Sequence, residues 1–192
     1  MNRPLVVCIV ACSILTEAWP ERARGASDAP PGFVSLFNNR DLSGWKVPQG
    51  DNGHWKVLDG VIDYDAESEA QGDKSLWTER EFGDFVLHVE WRIKDTPFLY
   101  DRAPYILPDG THARDLHGKP FKISTPDADS GVMLRGSGKY QLNIFCRPIG
   151  SGEMYGVRTD PKSSPELRAA ATPRTQADKP VGEWNRFEIT VR

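Results

Sequence analysis

The feature that most constrains this chain is an alternation of apolar and polar residues with a period of two. From Phe85 to Lys94 every odd-numbered residue is apolar, and four of the five even-numbered residues are polar or charged. Successive side chains of a strand point to opposite faces of its sheet, so this pattern predicts a half-buried strand. The same alternation runs from Arg186 to Val191. Helical spacing is confined to Glu166–Ala171, so the sequence predicts a chain dominated by strands.

Shorter apolar segments separated by turn residues predict further strands. They are Phe33–Phe37, Trp55–Leu58, Val61–Tyr64, Leu76–Thr78, Gly131–Arg135 and Tyr140–Phe145. Asp59-Gly60 joins the second and third of these as a tight turn, and the four residues Gly136–Lys139 join the last two. Strands joined by turns without intervening helices predict an all-β, antiparallel β-sandwich. Two Pro-rich stretches, Asp95–Asp129 and Thr159–Val181, are expected to be long functional loops or ordered excursions over one face.

The first 25 residues have the layout of a secretory signal peptide. Arg3 precedes the apolar run Leu5–Leu15, and Ala23–Gly25 supplies the small residues that a signal peptidase reads. The apolar run is shorter than the roughly 20 residues that a membrane-spanning helix needs. We therefore expect cleavage before Ala26.

Cleavage at this point implies export to the periplasm or the cell exterior, a linker over residues 26–31 and one folded domain over residues 32–192. Lipid attachment at Cys12 is the less favoured export route, because the apolar run before it is very short. The sequence stops at Arg192, at the end of a predicted strand, which would leave an exposed sheet edge. We therefore expect that the C-terminal strands of the domain are missing from this sequence.

Charge and cysteine content narrow the classes of function. The 24 basic and 27 acidic residues give a net charge of −3 without a basic cluster, which argues against electrostatic binding of nucleic acid. Removal of the leader leaves Cys146 alone, so neither an internal disulfide nor a cysteine metal cluster can form. Because Cys146 follows Ile144 and Phe145, it is expected to be buried and inert. No pattern indicates the oligomeric state.

Polar residues at alternate strand positions supply candidate binding groups. They are His88, Glu90 and Arg92 on one strand, and Gln141 and Asn143 on another. This mixture of carboxylate, guanidinium, amide and imidazole groups suits a polyhydroxylated ligand, and the face of Trp55 is a candidate for stacking on a sugar ring. Each residue taken alone has the alternative interpretation of an ordinary solvent-facing position on a half-exposed sheet.

A metal site is a second possibility in the Pro-rich loop. Its candidate ligands for a divalent ion are Asp109, His112, Asp115 and His117. Their spacing matches no established metal-binding template. The favoured interpretation is therefore that these residues form turns and carry solvated charge.

Seven motifs occur in a recognisable order along the mature chain. The first, Leu36–Leu42, reads Leu-Phe-Asn-Asn-Arg-Asp-Leu within the longer segment Phe33–Trp45. The others are Trp55–Ile62, Gly83–Leu87, Asp129–Arg135, Tyr140–Ile144, Gly152–Tyr155 and Gly182–Asn185. This set resembles the 3-keto-disaccharide hydrolase domain family, which typically reads Leu-Phe-Asn-Gly-Lys-Asp-Leu at the first motif. The resemblance covers the chain from about Gly32 to its last residue.

The resemblance implies a concanavalin-like or LamG-like jelly-roll sandwich that is exported and acts on sugars whose C3 hydroxyl has been oxidised to a ketone. Two departures from the family pattern matter. Relatives commonly carry Tyr-Glu-x-Gln where Tyr140–Asn143 reads Tyr-Gln-Leu-Asn, and the amide of Gln141 cannot act as a base. The family also continues past the last strand through an Asn-Gly hairpin and a return strand, and this sequence lacks both.

The implied chemistry starts from the C3 ketone, which acidifies the proton on C2. A base can remove that proton and expel the C1 substituent, after which water can add. Such a site needs a base, a group that stabilises the enolate and an acid for the leaving group. Our candidates are Glu90 or Asp129 as base, Arg135 or a bound divalent ion for the enolate, Tyr155 or His88 as acid, and Arg92, Gln141, Asn143 and Trp55 as substrate-binding residues.

Two alternatives to an enzyme remain open from the sequence. The first is a non-catalytic carbohydrate-binding sandwich module, which the amide at Gln141 favours. The second is a fragment that is inactive because its final strands are missing. The sequence does not specify the aglycone, the linkage or a metal.

Overall fold

The computed structural model describes residue 29, residues 31–65 and residues 72–192. The predicted leader over residues 1–25 lies outside the described residues, as does most of the predicted linker over residues 26–31. The elements in chain order are β1 (Trp45–Lys46), β2 (Trp55–Leu58), β3 (Val61–Tyr64), β4 (Trp77–Thr78), β5 (Phe85–Trp91), β6 (Leu99–Pro104), β7 (Lys122–Pro126), β8 (Asp129–Leu134), β9 (Ser137–Phe145), α1 (Tyr155–Arg158), α2 (Pro165–Ala170) and β10 (Asn185–Val191). The chain divides into two compact units.

The β5–β10 unit comprises the described residues up to Ile93 together with Glu183–Arg192. It contains three antiparallel pairs, β1 with β4, β2 with β3, and β5 with β10. The β2–β3 hairpin turns at Asp59-Gly60, where both residues have positive φ, as a two-residue type I′ turn requires. This hairpin is the one that the sequence predicts.

Pairing of β5 with β10 places their odd-numbered residues on one face. Val89 lies opposite Phe187, and Leu87 lies opposite Ile189. Val89, Trp91 and Ile189 are buried, so this face forms the apolar core of the strand pair. The period-two alternation is therefore realised as predicted, with the even-numbered residues on the other face.

The β8–β9 unit comprises Lys94–Gly182. Its two antiparallel pairs are β6 with β7 and β8 with β9. Its core contains Val132, Leu134, Ile144, Phe145 and Val157. The helix predicted at Glu166–Ala171 is confirmed as α2, where the Ser164 side chain caps the first turn by accepting a hydrogen bond from the Leu167 amide.

Three details differ from the sequence prediction. No strand forms at Phe33–Phe37, because the Ser35 hydroxyl hydrogen-bonds locally with both the amide and the carbonyl of Phe37. The β8–β9 turn is the two-residue loop Arg135-Gly136, with φ of 56° and 66°, and not the four residues Gly136–Lys139. Arg135 therefore lies in the turn and not in the strand.

The Pro-rich stretch predicted as a loop contains the pair β6–β7. Two β6 residues, Asp101 and Arg102, oppose the single residue Ser124 between the pairs Tyr100–Thr125 and Ala103–Ile123. Because this bulge interrupts the period-two pattern, the alternation of apolar and polar residues does not predict the strand. Helix α1 also escapes prediction because it has only one turn.

The chain is all-β and antiparallel, as predicted, with only two short helices in its described part. These properties are consistent with an all-β sandwich. Among the described residues, neither helix has the length and apolar character needed to cross a membrane.

Candidate functional site

The even-numbered face of β5 and β10 carries three predicted site residues. Opposite residues of an antiparallel pair project to the same face, and here Glu90 lies opposite Arg186 while His88 lies opposite Glu188. Arg92 follows directly after β5 at the next even position. His88, Glu90 and Arg92 therefore share one face.

His88 is held firmly on this face. Its ring is buried and lies 4.3 Å from the Phe33 ring, measured between centroids. Its Nε2 is 3.2 Å from the Glu188 carboxylate, whereas Nδ1 is buried without a hydrogen-bond partner among the described residues. A proton donated from Nε2 would have to leave its contact with Glu188, so the pairing disfavours His88 as the acid.

Arg92 is held by an aromatic ring. Its guanidinium carbon lies 4.9 Å from the centroid of Trp184, which is a cation–π contact. Its Nε is buried without a hydrogen-bond partner in the described part of the chain. The Trp184 ring thus fixes the orientation of this cation.

Trp55 is buried, in contrast to the exposed sugar-stacking position considered for it. Its ring packs edge-on against Tyr64 at 4.8 Å, and its indole N–H donates to the Lys74 carbonyl at 3.0 Å. A buried aromatic ring with a satisfied N–H contributes to the core of a domain. Trp55 therefore stabilises the β2–β3 hairpin.

The β8–β9 pair gathers a second set of predicted residues. Asp129 lies opposite Phe145, Gly131 opposite Asn143, and Met133 opposite Gln141, so these side chains share one face. The Asp129 carboxylate is 4.0 Å from a guanidinium nitrogen of Arg147. This face therefore places one carboxylate and two amides together.

Gly131 makes room for the Gln141 side chain. A Cβ at this position would lie 2.5 Å from the Leu142 carbonyl oxygen and 2.8 Å from Gln141 Nε2. Any larger residue would displace the Gln141 carboxamide from its place across β8. A small residue at this position is thus a packing requirement of the site.

A buried polar network extends from β9 through α1. Gln141 Nε2 donates to Asn143 Oδ1 at 3.0 Å, and Asn143 Nδ2 donates to Glu153 Oε2 at 2.9 Å. Glu153 also accepts from Arg158 Nε in an ion pair. Glu153 is 0% exposed and Arg158 is 3% exposed, so each charge depends on the other for its compensation.

Arg158 joins this network to the preceding loop. Its Nη1 donates to the Gly110 carbonyl at 3.0 Å and to His112 Nε2 at 3.3 Å. The β9–α1 network, defined as Gln141, Asn143, Glu153, Arg158 and His112, therefore fixes β9, α1 and the loop after β6 to one another.

The remaining predicted residues lie nearer the surface of this unit. Tyr155 begins α1 and is 50% exposed, with the Arg158 guanidinium carbon 6.0 Å from its ring centroid. Arg135 is exposed in the β8–β9 turn. Tyr155 is therefore accessible to a ligand, whereas Arg135 lies in a turn and not in the strand Gly131–Arg135 predicted from the sequence.

Two of the possible metal ligands of the loop, Asp109 and Asp115, make hydrogen bonds within their own turns. Asp109 accepts hydrogen bonds from the Thr111 amide and hydroxyl, and Asp115 accepts from the amides of His117 and Lys119. In the part of the chain that the structure describes, no three His, Cys, Asp or Glu residues are grouped to hold a metal ion. These aspartates act as turn formers, which is the interpretation favoured by their spacing.

Cys146 is half-buried and unpaired by any disulfide. Burial, together with the negative charge of Asp178, raises the pKa of its thiol to about 11. The thiol therefore stays protonated at neutral pH and is a poor nucleophile, as expected.

His112 is expected to make stability fall in mild acid. Because Arg158 can only donate, His112 Nε2 accepts the hydrogen bond and the ring is neutral. Burial, followed by the positive charge of Arg158, lowers the pKa of His112 below 6.5. The unfolded chain then binds a proton more readily than the folded chain, so stability is complete above about pH 6.5 and is lost as pH falls.

Denaturant titrations between pH 7.5 and 5 test this expectation. His112→Gln keeps an acceptor near the position of Nε2 but removes the titration, so the variant should lose less stability than the parent on acidification. His117→Gln, at an exposed turn position of the same loop, is the matched control. Equal pH dependence of His112→Gln and the parent would contradict this assignment.

Two members of the network, Glu153 and Arg158, were not among the site residues predicted from sequence. Glu153 lies in the motif Gly152–Tyr155, and that motif is a signal which could have identified it. Arg158 carries no such signal, because its partners Gly110 and His112 lie more than 45 residues away in sequence.

Comparison with protein families gave one result that spans both units. A family model described as a 3-keto-alpha-glucoside-1,2-lyase-like domain matches residues 32–192. Comparisons with curated proteins and with solved structures gave no match. Since the family model covers most of the sequence, this chain belongs to the 3-keto-alpha-glucoside-1,2-lyase-like domain family.

Proposed function

We propose that this chain is an enzyme that cleaves 3-keto-glycosides, including 3-keto-disaccharides, by removing the C2 proton and expelling the C1 substituent. The observation that carries this proposal is the family match over residues 32–192. The carboxylate of Asp129 and the amides of Gln141 and Asn143, which share one face of β8 and β9, supply supporting chemistry.

The reaction has two bond-breaking steps. A base takes the C2 proton, and the electrons of the C2–H bond form an enolate with the C3 carbonyl. The enolate then collapses, which restores the C3 carbonyl, forms a C1–C2 double bond and breaks the bond from C1 to the leaving oxygen. An acid protonates that oxygen, and water can subsequently add to the double bond.

The β8–β9 unit offers a candidate base and a candidate acid. Asp129 is the proposed base, because it shares a face with the amides of Gln141 and Asn143. The accessible hydroxyl of Tyr155 is the candidate acid. Arg135, the candidate for the enolate charge from the sequence, lies in the exposed turn at the other end of β8 from Asp129 and is not assigned this role. The other unit offers Glu90 as an alternative base and His88 as an alternative acid, although the contact of its Nε2 with the Glu188 carboxylate disfavours His88.

The base assignment is tested with a 3-keto-glucoside as substrate. Asp129→Asn is expected to lower kcat by about 10²–10⁴-fold, the usual contribution of a general base, and Glu90→Gln is expected to retain turnover. A substrate deuterated at C2 should react more slowly with the parent protein, because the C2–H bond breaks in the proposed step. The measurement is the initial rate of leaving-group release.

Each other outcome has a defined meaning. Loss of turnover in Glu90→Gln alone would transfer the role of base to Glu90, and full turnover in both variants would exclude both carboxylates. Binding of the 3-keto-glucoside without product by the parent protein would overturn the enzyme proposal and favour the carbohydrate-binding module. The observation that favours this second function is the amide of Gln141, which cannot act as a base.

A further inference from the structure

We infer that Glu153 is a positioning residue that sets which atom of Gln141 faces the ligand, and that this atom accepts a hydrogen bond from a sugar hydroxyl. The inference rests on the proposed function for the identity of the ligand. It rests on the β9–α1 network for the direction of the hydrogen bonds.

The direction is set at the buried end of the network. Arg158 donates to Glu153, and the Glu153 carboxylate has only acceptor atoms. The atom of Asn143 that contacts Glu153 must therefore be the donor Nδ2, which is 2.9 Å from the carboxylate. Asn143 is consequently oriented with its carbonyl oxygen towards Gln141.

The same logic fixes Gln141. Because Asn143 presents Oδ1, the contacting atom of Gln141 must be Nε2, at 3.0 Å. The second Nε2 hydrogen faces the Ser130 carbonyl at 3.4 Å. Both donor hydrogens are thus directed within the protein, and Oε1 is the Gln141 atom left for a ligand, on a side chain that is only partly buried.

The carbonyl oxygen Oε1 of Gln141 determines which groups of a ligand can bind to it. It accepts a hydrogen bond from a hydroxyl but repels the oxygen of a ketone, which has no proton to donate. Gln141 therefore binds one of the sugar hydroxyls at C2, C4 or C6, and the oxidised C3 position contacts another part of the site. The charge of Glu153 acts on the substrate only through the orientation of two amides.

Substrate analogues test which hydroxyl is bound. The probes are a 3-keto-glucoside and its 2-deoxy, 4-deoxy-4-fluoro and 6-deoxy-6-fluoro analogues, none of which donates a hydrogen bond at the altered position. One analogue is expected to raise KM about tenfold with the parent protein, while kcat changes little. That penalty should disappear in Gln141→Met, which keeps the side-chain length but removes the amide.

Glu153→Gln separates orientation from general damage to the fold. A carboxamide at position 153 can donate to Asn143, which allows both amides to turn and present Nε2 of Gln141 to the ligand. The same analogue should then lose its tenfold KM penalty although Gln141 is still present. An unchanged penalty in either variant, or no penalty for any analogue, would overturn the inference.

The orientation can also be measured without substrate. In the folded parent chain the two Nε2 protons of Gln141, assigned by comparison with Gln141→Met, should exchange with solvent more slowly than those of exposed Gln176. Exchange as fast as that of Gln176 would overturn the inferred orientation. If no 3-keto-glucoside is turned over but the amide protons are protected, the proposed function fails and the orientation stands.

Discussion

Replacing Glu153 with Ala is expected to lower the free energy of unfolding by about 3–5 kcal/mol, because it leaves the Arg158 guanidinium buried without a counter-charge. Glu153 and Arg158 are both buried, so solvent would not screen the unpaired charge of Arg158. The substitution also removes the acceptor of Asn143 Nδ2. Unfolding in guanidinium chloride, followed by tryptophan fluorescence, measures the loss.

A double-mutant cycle identifies the cause of that loss. Removing both charges with Glu153→Ala and Arg158→Met should cost clearly less than the sum of the two single changes, since no unpaired charge is left in the interior. Asp160→Asn is the matched control, because it breaks an exposed ion pair with Lys139 in the same unit and should cost less than about 1 kcal/mol. Additive costs in the cycle would show that the ion pair is not coupled as the geometry indicates.

The second large effect is expected at Trp91, the largest apolar residue on the core face of β5. Trp91 is 2% exposed and packs against Phe187 with ring centroids 5.3 Å apart. Trp91→Ala removes this ring and leaves a cavity, so the free energy of unfolding should fall by about 3–5 kcal/mol. Since Glu90 and Arg92 flank Trp91 on the opposite face, their positions depend on this anchor.

Trp91→Phe provides the comparison that isolates the cavity. The indole Nε1 of Trp91 is buried without a hydrogen-bond partner among the described residues, so loss of that N–H should carry no penalty of its own. Trp91→Phe should therefore cost much less than Trp91→Ala. Val86→Ala, at an exposed position of the same strand, should change stability by less than about 0.5 kcal/mol. Equal losses for Phe and Ala at position 91 would refute the cavity argument.

The candidate site illustrates where sequence reasoning reaches its limit. Alternation correctly grouped His88 with Glu90, and Gln141 with Asn143, because residues two apart in a strand share a face. It could not show that Trp55 is buried, since exposure depends on what packs against a strand. The roles of these residues in catalysis stay predictions.

The sequence by itself determined the strand-dominated architecture, the Asp59-Gly60 turn and the family, because alternation, turn dipeptides and motif order are local properties of the chain. Only the tertiary structure decided that Glu153 and Arg158 form a buried ion pair that orients Asn143 and Gln141. That network joins segments distant in sequence, and the direction of each hydrogen bond depends on which atoms meet. No local pattern of residue types specifies which of these atoms come into contact, so only the folded chain shows the direction of the hydrogen bonds.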